Sequence, residues 1–242
     1  MRVLVLSQIA GSAALAAAVT VGAFVIQDIL GQTTAWGGIA SATVTMGTAF
    51  MSQMLARLMN VRGRRNGLQT GYLLAIFGGF IAGYGAETKT LWIFLFGLFV
   101  FGNGQASNLL SRYAAADLAT SDERGRAMSR ILFASTFGAV FGPLLIKPAE
   151  QAGVQWFGWG QYTGPWIFAG VFFLTSLINT TLRLRPDPLE VAGRLNRQAD
   201  VGAPTRLFSD AVKAIRMSGD AQIAVIAMVI SQMAMVLSLI HI

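Results

Sequence analysis

The side chains able to do chemistry are few, and their types exclude most catalysis. The sequence has no cysteine and one histidine, His241. Thiolate nucleophiles, disulfides, Cys/His zinc sites and the H-E-x-x-H arrangement are therefore absent. No metal or cofactor is expected. Asp122-Glu123 adjoins Arg124 and reads as a solvated turn rather than a paired general acid and base. The remaining candidates are an Arg-rich group (Arg62, Arg64, Arg65), a second group (Arg112 with Asp117), an isolated Asp28, and seven amides. The amides are Gln8, Gln27, Gln53, Asn103, Gln105, Asn108 and Asn179. Such a set suits charge latches and polar recognition, not bond breaking.

The elements that carry these residues are apolar. Of 242 residues, 54% are hydrophobic and 12% charged. A soluble domain carries about twice that charged fraction. A membrane-crossing helix needs about 20 mostly apolar residues, because hydrocarbon offers the backbone no hydrogen-bond partner. Six runs qualify, at about 3–29, 36–59, 68–84, 91–110, 128–146 and 165–182. The first is too long for a signal-peptide core and reads as a span. The spacing thus predicts an all-α membrane protein with a six-helix bundle over 1–182. A cytoplasmic linker follows over 183–220, broken by Arg185-Pro186-Asp187-Pro188, with a short amphipathic helix over 205–217. A seventh span opens at 221 and is cut short at 242.

Arginine placement orients the bundle. With these spans, sixteen basic residues fall on one side and two, Lys89 and Lys147, on the other. The rule that cytoplasmic loops hold the excess Lys and Arg puts the N-terminus and the linker inside, in the cell inner membrane. The net charge of +7 is thereby a topology signal and not a nucleic-acid footprint. All five tryptophans (36, 92, 156, 159, 166) are expected near the outer interface.

Three segments resemble the major facilitator superfamily, in particular its bacterial drug-efflux-like members. Ala56 to Arg65, between spans two and three, is similar to that family's loop motif: Gly63, Arg64 and Arg65 match, Ala56 replaces a Gly, and Asn60 replaces an acid. Arg112 to Ala119, followed by Asp122 to Arg126, resembles the inner end of helix four. Gly138-x-x-x-Gly142-Pro143 in span five is similar to the antiporter motif, without its following Gly-Gly. The resemblance covers nearly the whole chain and implies the first six of twelve helices plus part of a seventh, joined to a missing C-terminal half. It implies gating roles for Asn60, Gly63, Arg64, Arg65, Arg112, Asp117, Gly138, Gly142 and Pro143. With Asn60 neutral, Asp117 is expected to supply the acid by pairing with Arg64 or Arg65.

The resemblance also implies a secondary transporter that exports a small amphipathic molecule, with a proton as the coupling ion. Metabolite uptake and a non-transporting scaffold or sensor on the same fold are the alternatives. Asn103, Gln105, Asn108 and Gln27 are expected either to line a substrate cavity or to bond helix to helix. Where proton-linked members carry an Arg in helix four, Leu98 stands here. Asp28 is the coupling candidate, or else an interfacial cap. Residues 237–242 match the translation of a transposon-end library adapter, so a gene fragment is expected, able to insert but not to transport.

Overall fold

Glycine and alanine set how closely the long apolar segments approach one another, and that governs the architecture of the computed structural model. It describes residues 1–31 and 38–197 and, beyond them, 213, 216–223, 225–227 and 230. The chain divides into two compact units, Met1–Leu195 and Asn196–Ile242.

The helices of the first unit are α1 (Arg2–Leu30), α2 (Gly38–Arg62), α3 (Arg64–Glu87), α4 (Leu91–Asp117), α5 (Arg124–Leu144), α6 (Ile146–Phe157) and α7 (Thr163–Arg183), and α8 (Pro188–Arg197) begins within it. A 3₁₀ turn, Ser121–Glu123, precedes α5. No strand occurs among the described residues. Helices α1 to α5 and α7 correspond to the six expected spans. Four of them, α1, α4, α5 and α7, are both long and apolar enough to cross a membrane. The 25-residue α2 and 24-residue α3 are long enough but more polar. Helix α2 carries Ser, Thr and Gln, and the buried glycines of α3 serve packing at the expense of hydropathy.

The bundle is organised around α4, which packs on α3 and α2, while α1 packs on α5 and α7, and α3 lies along α7. The core is an aromatic stack. Trp166 of α7 meets Phe94 edge-on at 5.3 Å and Phe101 at 5.6 Å, and Phe101 meets Phe173 at 5.2 Å. Edge-to-face rings of this kind gain from their quadrupoles beyond area burial. Trp166 is fully buried, with its ring against Gly22 and its backbone carbonyl and Cβ against Gly79 and Gly83. Trp92 and Trp156 are exposed, and Trp36 lies outside the described residues.

The Trp166 indole N–H is buried without an acceptor among the described residues. An orphaned donor costs about 1–3 kcal/mol, and the lost half-ring costs a comparable amount. Trp166→Phe should therefore leave thermal stability in detergent within about 1 kcal/mol of the parent; a loss well beyond that would mean the indole N–H has a partner.

Two elements were not expected. Helix α6 occupies what the sequence reading leaves as a loop, and Gly158 ends it in the left-handed conformation with φ 66°. Helix α5 runs through Pro143 and stops at Leu144, and a break at Leu145 separates it from α6. Helix α8 lies inside the segment read as a polar linker. The amphipathic helix expected over 205–217 lies outside the described residues except for 213, 216 and 217. In the second unit, 219–223 and 225–227 are helical, so helix is already present before 221; 231–242 lie outside the described residues.

Candidate functional site

Between α2 and α3 the chain turns on a single residue, Gly63, with φ 95° and ψ 157°. That region is open to glycine almost alone. A Cβ on Gly63 would also stand 2.5 Å from the carboxylate of Asp187. The close approach has a purpose. Asp187 Oδ1 accepts the backbone N–H of Arg64 at 3.0 Å, and Oδ2 accepts that of Arg65 at 2.9 Å. Oδ1 also accepts the N–H of Leu189 at 2.8 Å. One carboxylate thus caps two helices. It is the N-cap of α8, with Pro188 in the first position, where a missing N–H costs nothing. It also caps α3 from across the bundle. Helix N-termini carry unpaired N–H groups and partial positive charge, so an anion suits both.

The side chains of the Arg64-Arg65 pair then diverge. Arg64 Nε donates to Asp117 Oδ2 at 2.7 Å, and Arg64 Nη1 donates to Asn60 Oδ1 at 3.0 Å. Of the two pairings the sequence allowed for Asp117, the geometry selects Arg64. Both partners are largely buried, at 17% and 22% exposure, so solvent screens the pair only in part. Arg65 Nη2 donates to the carbonyl of Thr181 at 2.7 Å, near the C-terminus of α7. That is the end where a helix leaves partial negative charge. Gln69 Nε2 adds a bond to Thr181 Oγ1 at 2.9 Å. The cluster therefore joins the ends of α2, α3, α4 and α7 and the start of α8. Arg112, to which the resemblance gives a gating role, has a buried Nε without an acceptor among the described residues.

The opposite end of the bundle is held more lightly. Glu87, the last residue of α3, accepts the N–H of Gly160 at 2.8 Å and the hydroxyl of Thr163 at 2.5 Å. Asp28 pairs with Lys89 at 3.2 Å, with 40% and 64% of the side chains exposed. Exposed pairs of this kind contribute at most about 1 kcal/mol. Asp28 thus stands at the rim of the bundle, beside a cation, and not within its interior.

The amides divide. Asn103 and Asn108 are buried within the bundle. Asn103 Nδ2 bonds its own helix at the Val100 carbonyl, and Asn108 Oδ1 accepts the Tyr72 hydroxyl at 3.2 Å. Gly11 leaves the space that Asn108 fills. Gln105, half-buried on another face, accepts from Thr48 at 3.3 Å, and Gln27 is half-buried on α1. Gln8 accepts from Ser111 at 2.7 Å. Asn179 donates to the Val3 carbonyl and to Ser7, and Ser7 lies 3.3 Å from Thr180. A polar seam between α1 and α7 results, and its small hydroxyls gave no signal in the sequence.

On α5, Gly138 and Gly142 lie against α1. A Cβ at Gly138 would be 2.4 Å from the Ile9 carbonyl oxygen, and one at Gly142 would be 2.5 Å from that of Ala13. Backbone therefore rests on backbone, the contact that small residues four apart permit. Pro143, one residue on, is exposed at the end of α5.

The functional residue that sequence reasoning missed is Asp187. Its signal was legible as an N-cap: Asp followed by Pro, ahead of an amphipathic decapeptide. Its second role, on α3, depends on a contact 123 residues away in sequence.

Comparison with known proteins agrees with this architecture. The family model described as Major Facilitator Superfamily matches residues 4–242. The chain is 37% identical over 187 residues to the uncharacterized MFS-type transporter YdeG of Bacillus subtilis, covering 77% of this chain and 43% of YdeG. It is 32% identical over 101 residues to the riboflavin transporter RfnT of Brucella anthropi, covering 42% of this chain and 25% of that one. Among solved structures, the partially occluded inward-open xylose transporter XylE from E. coli superposes with a TM-score of 0.62 at 18% identity. That match covers 90% of this chain and 56% of XylE and speaks to fold. The chain spans less than half the length of the curated relatives it matches. From the residues matched and the six-helix bundle they form, the chain belongs to the Major Facilitator Superfamily, a family of multi-pass membrane transporters.

Proposed function

We propose that this chain forms the first half of a secondary transporter that exports a small amphipathic molecule in exchange for protons, with the N-terminus and the Arg64 cluster at the cytoplasmic face of the cell membrane. The observation that carries a transport role is the asymmetry between the two ends of the bundle. One end is closed by a charged, doubly capped cluster on five helices; the other is held by an exposed ion pair and a single carboxylate. A bundle that rocks between two states needs one end to engage and release a partner while the other yields. The glycine contact of α5 on α1 suits helices that move against each other, and the likeness of Gly138-x-x-x-Gly142-Pro143 to the antiporter motif supports the export reading. Substrate would bind near the bilayer midplane, against a second half. Asp28 is the acid this half offers for coupling, and its exposed pairing with Lys89 favours an interfacial role.

A second reading, proton-linked uptake of a metabolite, is favoured by the relatives' names: a riboflavin transporter and, in structure, a D-xylose–proton symporter. Inverted vesicles carrying the full-length protein separate the two. With the lumen made acidic, an exporter of this kind should accumulate an amphipathic cationic dye, and a protonophore should abolish that accumulation. Accumulation that ignores the gradient would overturn the proton-linked reading, and gradient-driven loss of a preloaded sugar or vitamin would favour the symporter. Reporter fusions after Arg65 and after Glu87 test the orientation, and both landing in one compartment would refute it.

A further inference from the structure

Below the Gly63 turn lies a groove of about 590 Å³, formed by the start of α3 and the α7–α8 turn. Its charged residues are Arg62, Arg65, Arg185, Asp187 and Glu190. They are not equally available. The Asp187 carboxylate is taken up by three backbone N–H groups, and Arg65 is committed to the Thr181 carbonyl. Arg62 and Arg185 are exposed, and neither side chain has a partner among the described residues. Glu190, also exposed, is the one free carboxylate among the described residues that line the groove. The free charge of the groove is positive.

Two apolar stripes lead into the same groove. On α3, Leu73, Phe77, Phe80 and Tyr84 recur at helical spacing and are all exposed, and Asn66, one heptad before Leu73, lines the groove. On α7, Leu174, Ile178 and Leu182 form the matching exposed stripe, which ends three residues before Arg185. Helices α3 and α7 lie side by side. Unpartnered stripes of this length on membrane helices meet hydrocarbon. Two free guanidiniums at the foot of such stripes match the plan of a phospholipid: phosphate at the arginines, acyl chains along the helices. Guanidinium is the side chain best shaped for bidentate phosphate recognition.

We propose that this groove binds an anionic phospholipid, with the headgroup phosphate between Arg62 and Arg185 and the chains on the Leu73–Phe80 and Ile178–Leu182 stripes. The proposal rests on the membrane reading of α3 and α7 but not on transport, so loss of flux and loss of lipid preference are separate outcomes.

The test uses the purified 242-residue chain in mixed micelles of neutral detergent with palmitoyl-oleoyl phosphatidylglycerol or phosphatidylcholine, with affinity read by native mass spectrometry. A basic residue near an anionic lipid surface contributes about a factor of five, so Arg62→Gln with Arg185→Gln should lower the preference for phosphatidylglycerol about 25-fold. The control pair Arg124→Gln with Arg130→Gln should keep that preference. A preference absent in the parent, or an equal loss in the control pair, overturns the proposal. So does full competition by soluble glycerol 3-phosphate, which would make this a site for a free phosphate ester. A second readout leaves the arginines in place. The chain has no cysteine, so Leu182→Cys carries a single fluorophore, and brominated phosphatidylglycerol should quench it more strongly than brominated phosphatidylcholine. Equal quenching overturns the proposal as well.

Discussion

Asp187→Ala should destabilise the bundle by about 2–4 kcal/mol, because it removes the cap of two helices at once and each cap contributes about 1–2 kcal/mol. The carboxylate takes N–H groups of Arg64 and Arg65 on α3 and of Leu189 on α8. Water can replace part of this, since Asp187 is half-buried. Asp187→Asn keeps one acceptor oxygen and loses the charge, so it should cost about half as much. Gly63→Ala probes the same contact from the other side. It meets two penalties: a backbone conformation closed to alanine, about 1–3 kcal/mol, and a Cβ placed 2.5 Å from the Asp187 carboxylate. The first penalty survives when Asp187 is replaced; the second disappears. The double mutant should therefore be more stable than the two single effects predict, by about 1 kcal/mol or more. Thermal unfolding of the four proteins in one detergent gives the cycle. Strict additivity would mean that Asp187 and Gly63 do not share this contact.

That cycle also marks where sequence reasoning stops. The spans were legible because hydrocarbon imposes long apolar runs with little competing signal, so α1, α4, α5 and α7 stand out by length and composition alone. Helix α6 was not legible: its dozen residues, with Lys147 and Glu150 among them, carry too little apolar weight to rise above a loop. The Arg64–Asp117 pair was half-legible. The neutral Asn60 left an arginine in want of an acid, but the choice between Arg64 and Arg65 depends on which direction each side chain leaves the first turn of α3. The burial of Asn103 and Asn108 was hidden for a different reason. An amide in a membrane helix reads the same whether it faces water or a neighbouring helix, and only the partners, Tyr72 and the hollow at Gly11, decide between them.

In the full-length protein, Asp117→Lys should reduce substrate flux about 100-fold, and adding Arg64→Asp should restore at least a tenth of the lost activity. The parent pair joins α3 to α4 at 2.7 Å in a partly desolvated setting. Reversing one member replaces attraction with like-charge contact, a change of about 3 kcal/mol in the balance between the latched and released states. Flux through alternating states falls with the population of the scarcer one, and 3 kcal/mol is about 100-fold. Rescue by the swapped pair depends on Asn60. Its amide has both an acceptor and two donors, so it accepts from Arg64 now and, after a flip, donates to a carboxylate introduced there. A second acid at position 60 could not do this. In an Asn60→Asp background the same swap should fail, because two carboxylates would then face each other across the Gly63 turn, while Asn60→Asp alone should tighten the latch on Arg64. A neutral amide at this position thus makes the latch indifferent to which partner carries the positive charge. Rescue that survives Asn60→Asp would show that the pair acts through something other than charge.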